Sequence, residues 1–382
     1  MASTHSKHTI IKKSIGIVFL FLLWLPLIQS TLDIPKIRSL QGYFILKKNP
    51  KFSIQSWFDG IYQTQKQDFI EENIGYRSFF VKIYNQIDYS LFDVTHANSV
   101  IMGKEGYLYE LNYIKAHLGR DFIGHDSISK KTDKLKAIVD TLQTMNISLV
   151  VMLAPGKGAY YEEYIPDEFD PKVKTTTNYE VYRENMLRKN IPYMDMQAWF
   201  LSMKDTSTYP LYPKTGIHWS SYGEILVADS LVKYIENTRK TKLPKLIIDK
   251  IETSRTARDR DNDIEKGLNL LFGLKNKTMA YPIFHVSTDS TTTKLKVLAV
   301  SDSFYWGIES KGLSNQLYEG SFWYYNEEIY PQSYDSSIRV SDIDAKSEIE
   351  KKDVIVLIST DANLYKFAFG FIDQVYELYF GK

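Results

Sequence analysis

The sequence predicts an α/β fold built on a doubly wound parallel sheet. Three segments, 147–153, 295–300 and 353–359, are apolar runs of the length of one strand, which is typical of parallel strands buried on both faces. Segment 134–145 places apolar residues at the three- and four-residue spacing of an amphipathic helix, and it directly precedes the first run. Strands that alternate with helices form a parallel sheet covered on both sides. We expect ligands to bind at the carboxyl ends of these strands.

The N-terminus, up to residue 31, is predicted to be a short cytosolic stub followed by a membrane anchor. Three lysines precede the apolar run 15–28, and no acidic residue occurs before Asp33. This is the layout of an export signal, in which the positive charge holds the start of the chain in the cytoplasm. Residues 28–30 (Ile-Gln-Ser) lack the small-residue pattern of a cleavage site. The sequence therefore favours an uncleaved anchor, with a removed signal peptide as the alternative.

Residues 32–93 are predicted to be a helical linker region, and residues 94–382 a single α/β domain. In the linker, segments 57–76 and 79–92 place apolar residues three and four positions apart, which indicates helices. Beyond residue 94 the pattern changes to alternating strands and helices. It begins with a strand pair around the glycine-containing turn at 103–106.

The composition limits the classes of function. The chain has 47 Lys and Arg against 46 Asp and Glu, a net charge of +1, which excludes the basic footprint of a nucleic-acid-binding protein. It contains no cysteine, which excludes disulfides, thiolate metal sites and a cysteine nucleophile. No histidine pattern has metal-ligand spacing and no glycine-rich phosphate-binding motif occurs, so no cofactor and no metal are predicted. The densest run of charges, residues 252–266, is interpreted as a solvated linker or a surface helix.

Two segments carry residue types suited to serine-dependent acyl transfer. Ser303 follows the apolar run 295–300, at the predicted start of a helix. Such a turn exposes the hydroxyl and places backbone N–H groups where they can bind an oxyanion. His218 is the candidate base that removes the serine proton. Each feature alone also has a structural explanation, because serine and aspartate often cap helices and most histidines simply pack. Their co-occurrence favours a catalytic pair.

These segments resemble two motif blocks of SGNH hydrolases, in the branch that contains the AlgX, AlgJ and DHHW-type proteins. Residues 300–304 resemble the G-D-S-F nucleophile block, with Ser301 in place of the usual glycine. Residues 215–223 resemble the D-x-H-W…G block of this branch. The histidine block precedes the serine block, which is the permuted order of the AlgX-type proteins.

Two further blocks extend the resemblance over about residues 95–380. Residues 103–109 resemble a G-K-x-G-W-L-F block, and residues 155–157, followed by Tyr161 and Pro166, resemble a P-x-K…Y…P block. The order of the four blocks is fairly specific. The chain therefore resembles the polysaccharide O-acetyltransferases of this branch.

The resemblance implies a location and an activity. It implies an SGNH-hydrolase-like domain in the periplasm, held to the inner membrane by the N-terminal anchor. Ser303 would be the nucleophile and His218 the base. An acyl group, expected to be acetyl, would pass through a serine ester to an envelope or exported polysaccharide such as alginate. The resemblance also implies a membrane-bound O-acyltransferase partner that supplies the acyl group.

One position departs from the family pattern. The aspartate that orients the histidine, two residues before it, is Gly216 here. Such an aspartate fixes the tautomer of the imidazole and stabilises the imidazolium. Three interpretations stay open: a Ser–His dyad, a substitute acceptor such as Asp195, Glu224 or a backbone carbonyl near Thr215, or a catalytically silent site that binds glycan. The function is accordingly acyl transfer, acetyl-ester hydrolysis, or glycan binding within an acetylation machinery.

Four further residues are given supporting roles. Asp302 lies next to the nucleophile and is a possible supporting residue. Lys157 is expected either to contact an anionic substrate or to cap local carbonyl groups. Trp219 and Tyr305 flank the candidate pair. They are expected to form the floor of a sugar site, with loop packing as the alternative.

Overall fold

The computed structural model describes residues 2–42 and 47–381. Residue 1 of the predicted stub, residues 43–46 of the predicted linker and residue 382 of the predicted α/β domain lie outside the described residues. The chain divides into two compact units, one made of Met1–Ala97 and Glu265–Gly273, the other of Asn98–Ile264 and Leu274–Lys382.

The first unit begins with helix α1 (Ala2–Leu32), which is long and apolar. Its segment Ile11–Leu32 is strongly apolar and almost wholly exposed. By length and composition these 22 residues can cross a membrane. An N-terminal apolar helix is therefore present where the sequence predicts an anchor.

Three shorter helices follow in this unit: α2 (Ile54–Phe58), α3 (Ile61–Asn73) and α4 (Arg77–Phe92). The segment predicted as one helix over 57–76 is interrupted at Gly60, whose φ of +75° is in the left-handed region. Glycine adopts this conformation without the steric cost that a side chain adds, so the chain turns there and starts a new helix.

The second unit contains a six-stranded mixed sheet and two two-stranded ribbons. Its strands are β1 (Val100–Met102), β2 (Leu108–Glu110), β3 (Ser148–Ala154), β4 (Tyr193–Asp195), β5 (Lys245–Ser254), β6 (Met279–Ser287), β7 (Lys296–Ser301), β8 (Glu319–Tyr324), β9 (Glu328–Tyr330) and β10 (Val354–Thr360). The helices that begin in this unit are α5 (Leu111–His117), α6 (His125–Thr144), α7 (Lys157–Tyr160), α8 (Asn178–Arg188), α9 (Met196–Met203), α10 (Ser221–Arg239), α11 (Asp263–Leu268), α12 (Trp306–Glu309), α13 (Leu313–Leu317), α14 (Ala345–Glu350) and α15 (Phe371–Phe380).

The main sheet has the strand order β4-β3-β10-β7-β8-β9. The first five strands in this order pair in parallel, and β9 pairs antiparallel to β8. The three apolar runs recognised in the sequence are β3, β10 and β7, which are neighbours at the centre. The predicted α/β sheet is confirmed, with the correction that its β9 edge makes it mixed. The hairpin expected around 103–106 is the β1–β2 ribbon.

Helices α6, α8 and α15 cover one face of the sheet. Their apolar residues, such as Leu135, Val181 and Val375, form one buried cluster with alternate residues of the strands, such as Val151 and Leu357. The strand residues between these are buried as well, so both faces are covered. Because β3, β7 and β10 run in parallel, the loops that follow them all emerge at the same edge, which positions the candidate site.

Candidate active site

Strand β7 ends at Ser301, and Ser303 starts a short 3-10 turn that leads into α12. The buried Asp302 fixes this turn: its Oδ1 accepts from the Phe304 amide at 3.1 Å. Its Oδ2 accepts from the Thr360 amide at 3.0 Å, the Thr360 hydroxyl at 2.9 Å and Asn363 Nδ2 at 2.9 Å. Asp302 therefore ties the Ser303 turn to the end of the neighbouring strand β10. It supports the serine through position.

His218 lies just before helix α10, whose first turn is capped by Ser220. Its Nε2 is 2.8 Å from the Ser303 hydroxyl oxygen, although 85 positions separate the two residues in sequence. A hydrogen bond of this length is what a serine and the base that removes its proton require. When Nδ1 carries the ring proton, Nε2 can accept the proton of the serine hydroxyl.

The other ring nitrogen of His218 is bound by Asp263, a residue that sequence reasoning missed. Asp263 Oδ2 makes a short hydrogen bond with Nδ1. Asp263 Oδ1 accepts from the backbone amides of Ile217 and Ile264, each at 2.9 Å. Residues 252–266, interpreted from the sequence as a solvated linker or a surface helix, form the end of β5, a connecting segment and the start of α11, and this run supplies the carboxylate that contacts the imidazole.

The electrostatics of Asp263 suit an orienting carboxylate. Burial acts to raise its pKa, but the His218 imidazole, the Ile217 amide and the Arg260 guanidinium together hold that pKa below its usual value. The carboxylate is therefore ionised at neutral pH. An anion on Nδ1 fixes the tautomer and stabilises an imidazolium when it forms.

Gly216, at the position of the expected aspartate, packs closely against the backbone of Arg260 and Asp261. A Cβ atom on Gly216 would lie 2.9 Å from the carbonyl oxygen of Arg260 and 2.9 Å from the carbonyl carbon and oxygen of Asp261. No side chain fits there without displacing the segment that carries Asp263. Glycine at 216 and aspartate at 263 are thus coupled features of one arrangement.

Lys157 holds the segment before His218 through hydrogen bonds to its backbone carbonyl groups. It is fully buried at the start of α7, and its Nζ donates to the carbonyl oxygens of Lys214 at 2.7 Å and of Gly216 at 2.6 Å. Burial lowers its pKa well below the usual lysine value. Of its two expected roles, the structure places it on the carbonyl groups. A fully buried amine offers no surface to an anionic substrate.

The two carboxylates considered as substitutes for the missing acid point elsewhere. Asp195 accepts from the Tyr179 hydroxyl at 2.9 Å, from Arg183 Nε at 2.8 Å and from the Ala198 amide at 2.9 Å, as the cap of α9. Glu224 is buried and pairs with Lys311 at 3.2 Å. The expectation that Asp195 orients His218 is wrong, since Asp263 occupies Nδ1.

Trp219 and Tyr305 are buried packing residues. Trp219 packs against Phe304 with ring centroids 5.0 Å apart, and the Tyr305 hydroxyl is 2.8 Å from that of Tyr318. The expectation that Trp219 and Tyr305 bind substrate is wrong, because their rings fill the interior beneath the site. Tyr325 is a partly exposed aromatic residue that interacts with the Ser303 side chain.

Among residues 2–42 and 47–381, no group of histidine and acidic residues has an arrangement that could hold a metal ion.

Asp263 and Tyr325 could not have been selected from local patterns. Asp263 lies in a hydrophilic run, and Tyr325 follows β8 at a positive φ of 51° in a tight turn. Only the tertiary fold brings them to the serine and the histidine.

A family model described as an SGNH hydrolase-like domain, acetyltransferase AlgX, matches residues 100–294, just over half of the chain. This segment contains His218 and Asp263 and ends before Ser303. No curated protein matches the sequence.

Three solved structures of similar proteins illustrate the resemblance. The O-acetyltransferase domain of Pseudomonas putida AlgJ is 17% identical with a TM-score of 0.48, over 73% of this chain and 99% of that one. Pseudomonas aeruginosa AlgX is 13% identical with a TM-score of 0.43, over 72% and 67%. Bacillus cereus PatB1 is 13% identical with a TM-score of 0.39, over 64% and 93%. On the family match, the chain belongs to the SGNH hydrolase-like domains of the AlgX acetyltransferase type.

Proposed function

We propose that this protein transfers an acyl group, expected to be acetyl, to a hydroxyl of an envelope or exported polysaccharide through an ester on Ser303. The observation that carries the proposal is the continuous contact from Asp263 to His218 to Ser303. Nucleophile, base and orienting acid have the mutual geometry that serine acyl transfer requires. Membership of an acetyltransferase family supports acetyl as the group.

The chemistry assigns one task to each residue. The Ser303 oxygen attacks the carbonyl carbon of the donor ester as His218 Nε2 takes the hydroxyl proton. The donor's leaving oxygen departs with that proton, and an acyl-serine remains. His218 then takes a proton from the acceptor hydroxyl, whose oxygen attacks the acyl carbon and releases Ser303, which regains the proton. Asp263 stays ionised and compensates the imidazolium in both halves.

The contact with Asp263 changes what glycine at position 216 implies for activity. A dyad without an acid and a catalytically silent site were both motivated by the absent aspartate. Asp263 supplies a carboxylate on the same ring nitrogen from a different part of the chain. This favours the enzyme over the non-catalytic glycan-binding subunit.

A cleft that Tyr325 lines supports a polysaccharide as acceptor. It has a volume of about 460 Å³ and is lined by Tyr325, Phe369, Gly370, Lys131, Lys366 and Glu327. Tyr325 joins the cleft to the nucleophile, and Lys366 Nζ lies 4.8 Å from the Tyr325 ring centroid. Aromatic faces beside charged groups suit sugar rings that carry both C–H and hydroxyl surfaces. An acceptor site favours transfer over simple hydrolysis of acetyl esters.

The proposed location is the periplasmic side of the inner membrane. Helix α1 would anchor the chain, and a membrane-bound O-acyltransferase would supply the acyl group. Protease added to intact spheroplasts should digest the body and leave the anchor. Complete protection of the body, together with its digestion after lysis, would place it in the cytoplasm and contradict the proposal.

The test of function is trapping of the acyl group on the full-length chain. Incubation with 4-nitrophenyl acetate should add the mass of one acetyl group to the peptide that contains Ser303, and added oligosaccharide should discharge it as an O-acetyl ester. Ser303→Ala and His218→Ala should abolish both steps, whereas Ser310→Ala serves as the matched serine control. Discharge to water alone would identify an esterase. Full activity in Ser303→Ala would exclude serine chemistry.

A further inference from the structure

Arg260 lies directly against the imidazole of His218. Its Nη2 is 3.2 Å from Nδ1 and 2.9 Å from Nε2 of the ring. Because the Cε1–H group separates the two ring nitrogens, an atom this close to both lies over the face of the ring. Ser303 therefore keeps its contact with Nε2 in the plane of the ring, and the guanidinium lies above the ring.

The Arg260 guanidinium has no carboxylate partner within salt-bridge distance among residues 2–42 and 47–381. Neighbouring cations differ in this respect. Arg258 pairs with Glu252 at 2.8 Å, and Lys311 pairs with Glu224 and Asp259, each at 3.2 Å. Arg260 is half-buried, and it affects Asp263 and Glu224 at longer range. A cation in this position is available to an external anion.

The position of Arg260 also opposes the proposed chemistry unless an anion is bound. When His218 takes the serine proton, the imidazolium and the guanidinium are two positive charges in contact. The negative charge of Asp263 stabilises the imidazolium through Nδ1. An anion bound to Arg260 would offset the charge of the guanidinium and so reduce its repulsion of the imidazolium.

We propose that Arg260 binds an anionic group of the substrate, a carboxylate or a phosphate ester, held beside the Ser303 hydroxyl. The inference rests on the proposed serine-dependent transfer and adds the residue that selects the substrate's charge. A guanidinium presents paired N–H donors that match the oxygens of either anion. The contact with Gly216 is made by the backbone of Arg260, so replacement of its side chain leaves the packing of Gly216 in place.

The experiment compares acceptors that differ only in charge. The full-length chain, acetylated by 4-nitrophenyl acetate, is offered an oligouronate, the same oligosaccharide after reduction of its carboxyl groups, and a phosphorylated neutral oligosaccharide. The wild type should prefer at least one anionic acceptor over the neutral one. Arg260→Gln should lower that preference, as a ratio of kcat/KM values, by about ten-fold, which corresponds to one charge-assisted hydrogen-bond pair. Arg260→Lys should retain part of it, because the charge remains but the paired donors are lost.

Arg258→Gln is the matched control, since this exposed neighbour already has a carboxylate partner and should keep the wild-type preference. A preference lost with either the oligouronate or the phosphorylated acceptor supports the proposal and identifies the anion. An unchanged preference in Arg260→Gln, or no preference in the wild type, would overturn it.

A binding measurement separates this inference from the proposed function. In a Ser303→Ala background, calorimetric titration with the anionic acceptors should show binding that Arg260→Gln weakens and Arg258→Gln does not. If no form of the protein is acylated but this difference is present, the transfer proposal fails and the role of Arg260 in anion binding stands. If acylation proceeds and the difference is absent, the role of Arg260 fails alone.

Discussion

Gly216 and Asp261 are in backbone contact, close enough that a Cβ on Gly216 would lie 2.9 Å from the carbonyl group of Asp261. This contact brings the chain around residues 260–263 over the segment that leads to His218. Asp263 follows two residues later, and its Oδ2 meets Nδ1 of the imidazole. Gly216, which stands where the family has its aspartate, leaves the room in which the segment carrying Asp263 approaches His218.

Gly216→Asp is therefore expected to impair the protein, although it introduces the aspartate of the family pattern. The new side chain collides with the backbone at Arg260 and Asp261 and displaces Asp263 from His218. Overpacking of this kind costs about 1–3 kcal/mol in the free energy of unfolding. A shift in catalytic geometry lowers turnover on the order of 100-fold. Hydrolysis of 4-nitrophenyl acetate and urea unfolding measure the two effects.

Gly267→Ala is the control for this substitution. Gly267 lies in α11, the helix that Asp263 begins, and nothing lies within 4 Å of a Cβ at this position. Alanine there should leave turnover unchanged. Turnover in Gly216→Asp equal to or above that of the wild type would show that Asp263 is not the acid that the site uses.

Asp263→Asn is expected to preserve the hydrogen-bond geometry while removing the charge that compensates the imidazolium. Loss of this charge from a triad lowers kcat by roughly 10⁴-fold. Asp195→Asn, in a carboxylate bound by Tyr179 and Arg183 instead, should leave kcat unchanged. Rapid-mixing measurement of the acylation step with both variants checks the prediction. Equal losses in the two variants would contradict the assignment.

The limits of sequence reasoning follow from what each residue depends on. Ser303 and His218 could be found because each has a local signal, the end of an apolar strand and the start of a helix. Asp263 has none: it is one acid among many in a charged run, and a tertiary contact at Gly216 decides its position. Trp219 and Tyr305 were misplaced because sequence next to a site does not specify on which side of the chain a ring packs.

Lys157→Met is expected to destabilise the histidine segment while leaving substrate affinity intact. The change leaves the buried carbonyl groups of Lys214 and Gly216 without their donor, at about 1–3 kcal/mol for each. kcat should fall because His218 loses its support, whereas KM for an anionic acceptor should not rise. Thermal unfolding and steady-state kinetics measure these quantities. Lys104→Met, at a surface ion pair with Asp167, is the control.

Substitution of Tyr325 should change the KM for an acceptor, whereas substitution of Trp219 should change the stability of the fold. Tyr325→Asn, which suits the positive φ at this position, should raise KM for an oligosaccharide acceptor about 3–10-fold through the loss of an aromatic face. Trp219→Ala should lower the free energy of unfolding by about 3–5 kcal/mol, because it empties a fully buried site. Tyr62→Ala, in the other unit, is the control for both. A normal KM in Tyr325→Asn would remove the cleft from the acceptor site.

Asp361 should make the stability of the fold depend on pH. It follows β10, and its Oδ1 accepts from the Ala362 amide at 2.7 Å. Burial, and then the charges of Asp121 and Asp302, raise its pKa from 3.8 to about 8, against the lowering effect of the Ala362 amide and of Lys174. The folded protein therefore keeps this proton up to about pH 8, whereas the unfolded chain loses it near pH 3.8.

In that window the folded state binds the additional proton, so stability falls as the pH rises, by up to about 1.4 kcal/mol per pH unit from this group. The free energy of urea unfolding should decrease more between about pH 5 and about pH 8 in the wild type than in Asp361→Asn, whose amide does not titrate. Asp373→Asn removes a surface carboxylate paired with Lys134 and should keep the wild-type slope. The same slope in Asp361→Asn as in the wild type would show that Asp361 is already ionised in the folded protein.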